Sequence, residues 1–113
     1  MPKRISRDDL RHRMANEHRP ILVEALGVGY FADAHLPGAI NIPPGQVDIL
    51  AAELLPDRQA EIVVYGAGSF AGSEAVATRL EELGYVSVAV YRGGKEDWVE
   101  NGLPLERPGS DGR

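Results

Sequence analysis

Few side chains here have types and spacing suited to chemistry. The chain contains no cysteine, which excludes disulfides, thiolate metal sites and cysteine nucleophiles together. Its three histidines, His12, His18 and His35, are scattered without metal-ligand spacing. One stretch stands out: Gly66-Ala67-Gly68-Ser69-Phe70-Ala71-Gly72-Ser73, a glycine-rich loop between a β-branched run and a helical pattern. Successive backbone N–H groups before a helix can cradle phosphate or sulfate without a charged side chain, and glycines permit close approach. The loop holds no Lys or Arg, and the same residues also suit a plain turn. Ser69 and Ser73 are the only hydroxyls nearby, and a serine nucleophile needs an adjacent base, for which His35 is only a distant candidate. Ser73 is therefore expected as a helix cap and Ser69 as a turn former. Phe70, at the middle of the loop, is expected either to close a pocket or to offer a partner an apolar anchor.

The elements that position this loop follow from hydrophobic periodicity. Ser6 precedes Arg7 to Asn16, where Leu10 and Met14 fall four apart with Asp9 at the capping-box position, the pattern of a short amphipathic helix. Pro20 to Leu26 is an apolar run of strand length that stops at Gly27. Tyr30 to His35 suits one or two helical turns, Ala39 to Ile42 a short strand, and Gln46 to Leu55 a helix stopped by Pro56. Glu61 to Tyr65 is the clearest strand and feeds the glycine-rich loop. After the loop, Ala75, Val76, Leu80 and Leu83 form the apolar face of a helix closed by Gly84, and Val86 to Tyr91 is the next strand. Gly93-Gly94 opens a last helix, Lys95 to Asn101, with Trp98 and Val99 inward, before Gly102-Leu103-Pro104. Strands alternating with helices predict an α/β fold, a mainly parallel five-stranded sheet with helices on both faces. In such sheets function gathers at the carboxyl ends of the strands, where the Gly66 to Ser73 segment lies.

The 113 residues suit one domain over residues 1–106, with a disordered tail over 107–113. Seventeen acidic against twelve basic residues give a net charge of −5, which repels a phosphate backbone and argues against nucleic acid. No apolar run has the length to cross a bilayer, and the basic start passes into Asp8 and Asp9 without an apolar leader, so the expected location is cytoplasmic.

Three ordered segments carry a family resemblance. His35-Leu36-Pro37-Gly38-Ala39-Ile40-Asn41-Ile42-Pro43 resembles the H-I-P-G-A-I-N-I-P segment of rhodanese-like domains. Ile62-Val63-Val64-Tyr65 is similar to the strand before that family's active loop, and Tyr91-Arg92-Gly93-Gly94-Lys95-Glu96-Asp97-Trp98 with Gly102-Leu103-Pro104 to its G-G-x-x-x-W…G-L-P ending. The resemblance covers Ile5 to Glu106 and implies the sulfurtransferase fold of that family.

It also implies a cysteine directly after the strand, whose thiolate accepts sulfur as a persulfide. That position is Gly66 here, so the nucleophile site is vestigial and no catalytic residue is assigned. The family's loop is usually basic and its second strand often followed by Asp-x-Arg. This loop has no cation, and Glu24-Ala25-Leu26 keeps an acid without the arginine. The expectation is an inactive homologue, without cofactor or metal, that binds a small anion or a protein through residues 66–73 and serves a binding or regulatory role. Two alternatives stand: an enzyme of the rhodanese or phosphatase-like class using non-cysteine chemistry, or a sulfurtransferase whose cysteine has been replaced at Gly66. Within the resemblance His35 is expected to fix a turn, and Phe31, Tyr65 and Trp98 to face the core.

Overall fold

The computed structural model describes residues 2–68 and 71–107. Ten elements follow in order: β1 (Lys3–Arg4), α1 (Arg7–Met14), β2 (Ile21–Glu24), α2 (Val28–Asp33), β3 (Ile40–Asn41), α3 (Val47–Leu54), β4 (Ile62–Tyr65), α4 (Ala71–Glu82), β5 (Val88–Tyr91) and α5 (Gly94–Glu100). The five strands are all parallel, in the order β1-β5-β4-β2-β3. β4, at the centre, is buried at all four positions, which explains its unbroken apolar sequence.

Side chains alternate between two cores along each strand. Val23, Ile62, Val64, Val88 and Val90 pack on one face against α3 and α4, through Val47, Ala51, Val76, Ala77 and Leu80. Leu22, Val63, Tyr65 and Tyr91 pack on the other, against Leu10 of α1 and Trp98 of α5. From β2 the chain continues to β3 on one side, and from β4 to β5 on the other, so the strand order switches between β2 and β4. In open α/β sheets, ligands characteristically bind outside the carboxyl ends of the strands at such a switch.

Several expectations are corrected. α4 begins at Ala71, which makes Ser73 a buried residue of its first turn rather than its cap. Ala77, not Ala75, lies on the inward face of α4, and Ala75 is exposed. Val99 is 52% exposed whereas Trp98 is buried, because α5 turns only one narrow stripe to the sheet. The fifth strand, Lys3–Arg4, was not located by periodicity, since two exposed basic residues carry no apolar signal. α1 ends at Met14, two residues before Asn16, although its Ser6 cap accepts from the Asp9 amide as its pattern predicts. Of the expected tail, residues 108–113 lie outside the described residues.

Candidate functional site

Parallel register sets Glu24, Tyr65 and Tyr91 side by side at the carboxyl ends of β2, β4 and β5. They form a polar row at the edge of an apolar face, and each must find a partner there. Glu24 is wholly buried. Its Oε1 accepts from the Tyr65 hydroxyl at 2.7 Å, and the same hydroxyl accepts from the Leu36 amide at 3.1 Å. Burial first, and then the neighbouring Glu24 carboxylate, hold the Tyr65 hydroxyl in its neutral form, far above the ordinary phenol range. Oε2 of Glu24 faces the Lys95 ammonium at 2.9 Å, and that ammonium also donates to the Tyr30 carbonyl at 3.0 Å.

The third member of the row looks to the next residues of α5. The Tyr91 hydroxyl donates to Asp97 Oδ2 at 2.5 Å, and Arg7 of α1 donates to both Asp97 oxygens at 2.9 and 3.0 Å. The Tyr91 hydrogen bond, and then Arg7, lower the Asp97 carboxyl below its ordinary value. Burial, and then Asp97, raise Tyr91.

α5 also fastens the loop. The Lys95 amide donates to the Gly66 carbonyl at 2.9 Å and the Glu96 amide to the Ala67 carbonyl at 2.7 Å. Such close approach needs Gly94, whose φ is +61° and whose missing Cβ would collide with the Gly66 carbonyl oxygen. The Glu96 carboxylate in turn lies over Gly68, where a Cβ would stand 2.5 Å from its Cδ and Oε1 and 3.0 Å from Oε2. On the opposite face of the sheet Arg92 is paired with Glu74 of α4 at 3.4 Å.

Of the residues singled out by sequence, Gly66, Ala67 and Gly68 lie on this loop, and Ala71, Gly72 and Ser73 form the first turn of α4. Ser69 and Phe70 fall outside the described residues. Gly66 and Gly68 are not among the glycines with positive φ. His35 is built into a turn: its Nδ1 lies 3.0 Å from the Phe31 carbonyl, its ring stacks on Phe31 at 3.9 Å, and its backbone bridges to Glu106. Phe31 is accordingly half-buried, while Tyr65 and Trp98 are buried as expected. Sequence reasoning missed Lys95, Glu96, Asp97 and Arg7. The signal for the first three was the charged triplet directly after Gly93-Gly94, which reads as a solvated helix start until β5 and the loop are packed against it.

A family model for the rhodanese-like domain matches residues 6–101. The chain belongs to the rhodanese-like domain family. A sulfurtransferase from Allochromatium vinosum is 28% identical over 108 residues, covering 96% of this chain and 98% of the relative. The fold matches a thiosulfate sulfurtransferase from Pseudomonas aeruginosa with a TM-score of 0.81 at 29% identity, over 93% of this chain but only 20% of that one. It matches a rhodanese-like domain from Anabaena sp. with a TM-score of 0.82 at 25% identity, over 95% and 80% of the two chains. This rhodanese-like domain thus keeps the scaffold around the strand-to-helix loop, while Gly66 and the two residues after it present only backbone groups and a methyl.

Proposed function

We infer that this rhodanese-like domain is catalytically silent and acts by presenting its loop face to a protein partner. The observation that carries the reading is Gly66, directly after β4 on a fully formed scaffold, in a chain with no cysteine at any position. Persulfide chemistry needs a thiolate, and neither glycine nor serine can replace it. The neighbouring cations are spent internally: Lys95 is committed to Glu24, and Arg92 to Glu74. Exposed apolar side chains flank the site, with Val28 and Tyr30 of α2 each 67% exposed and the Tyr30 carbonyl bonded to Lys95. Phe70, in the sequence of the loop, adds a candidate anchor. Transfer of sulfur from thiosulfate to cyanide is expected at background rate, and turnover above a heat-treated control would refute the reading. A partner captured by the wild-type protein and lost specifically with Phe70→Ala would locate the contact on the loop.

The replaced-cysteine reading rests on a separate observation, that Gly66 is not among the positive-φ glycines, so its backbone conformation does not bar an L residue. Gly66→Cys is therefore expected to fold. If that single change formed a persulfide and restored robust transfer, replacement at Gly66 would become the better account.

A further inference from the structure

We propose that Glu96 sets the selectivity of the loop face by keeping oxyanions out of it. This deepens the reading of the loop as a binding face without a nucleophile, and rests on it.

The loop and α5 meet in a way that delivers one carboxylate to one place. Gly94 brings the start of α5 against Gly66, and the amides of Lys95 and Glu96 are bonded to the Gly66 and Ala67 carbonyls. With its own amide so fixed, Glu96 lays its carboxylate over Gly68, and only a residue without a Cβ leaves room for it there. The two residues beside it cannot neutralise it. Lys95 turns the other way, to Glu24 and the Tyr30 carbonyl, and Asp97 is held by Tyr91 and Arg7.

Counted by pairs, the site carries one charge of excess. Glu24 with Lys95 sums to zero, as does Glu74 with Arg92. Glu96 is exposed and forms no ion pair among the described residues, so the charge at the loop surface is negative. A divalent oxyanion seated on the amides of Gly66 to Gly68 would meet that carboxylate beside Gly68, and like charges repel even near solvent. The repulsion depends on charge and not on the identity of the oxyanion, so it opposes thiosulfate, sulfate and phosphate alike.

The test is an amide NMR titration of the whole chain at constant ionic strength, with sodium thiosulfate and sodium sulfate as probes and chloride as the balancing salt. Wild type, Glu96→Gln and Glu96→Lys are compared, and since Glu96 is exposed all three retain the core. Wild type is expected to show no saturable shift at Gly66, Ala67 or Gly68 up to tens of millimolar probe. Glu96→Gln is expected to bind at least about tenfold more tightly, and Glu96→Lys more tightly again. Equal responses in wild type and Glu96→Gln would overturn the proposal, and so would silence in all three proteins. The functional reading fails separately: sulfur transfer by the wild-type chain would refute it and leave the titration result as it stands.

Discussion

At the carboxyl ends of β2 and β4, Glu24 has no access to water and meets a single ammonium group. Lys95→Met keeps most of the aliphatic stem but leaves that carboxylate without its counter-charge, and removing one partner of a buried ion pair costs about 3–5 kcal/mol. Tyr65→Phe removes the bridge between Glu24 and the Leu36 amide, with an expected cost of about 1–3 kcal/mol for buried groups left unsatisfied. Urea unfolding checks both: the midpoint should fall, further for Lys95→Met, with the slope unchanged. An unchanged midpoint for Lys95→Met would mean that water or another cation reaches Glu24. At this scale the sequence was only half legible. Gly66 and the missing thiol are one-residue facts and needed no geometry. Tyr65 looked like plain core because its ring is apolar and only the register with Glu24 reveals what its hydroxyl does.

α5 is the element that organises the site, since three consecutive residues of its first turn reach Glu24, Gly68 and the Tyr91–Arg7 pair. Its approach depends on Gly94. Gly94→Ala must carry a left-handed conformation worth about 1–2 kcal/mol of strain, and its methyl also meets the Gly66 carbonyl. Thermal unfolding should shift down, and hydrogen exchange at the Lys95 and Glu96 amides should accelerate as the start of α5 lifts from the loop. Asp97 joins α1, β5 and α5, and its lowered carboxyl gives the joint a pH dependence. A group with a lowered folded value adds stability above its unfolded value, 3.8, and loses that contribution as pH falls through the folded one. Asp97→Asn should therefore flatten the stability curve below about pH 4. Parallel curves for the two proteins in that range would rule the contribution out. The triplet Lys95-Glu96-Asp97 was visible in the sequence as a helix start, but periodicity reports which side faces the core and not which loop lies across the way.

Over the whole molecule, the alternation of apolar runs with helical patterns made the α/β sheet legible, together with the strand that feeds the loop. What escaped was small or set by distant packing. β1 is two exposed residues recognisable only by its pairing with β5, and the inward stripe of α4 runs through Ser73, Val76, Ala77 and Leu80 at spacings of three and four, which leaves Ala75 off it. Among the described residues no helix is long and apolar enough to cross a membrane. Hydrogen exchange should grade across the sheet, slowest at Val63 and Val64 of central β4 and fastest at β1 and β3. Uniform protection across all five strands would show that the edges open only with the whole fold.

The pairing of β1 with β5 bears on how the chain is made. β1 precedes the other four strands, yet its neighbour among the described residues is Val88–Tyr91 of β5, so it waits without a partner until all the strands between them have been made. α5 follows β5 and closes over Gly66 to Gly68 later still. The loop face therefore comes into being only after the five strands, and a nascent chain that has not yet reached α5 has none to offer.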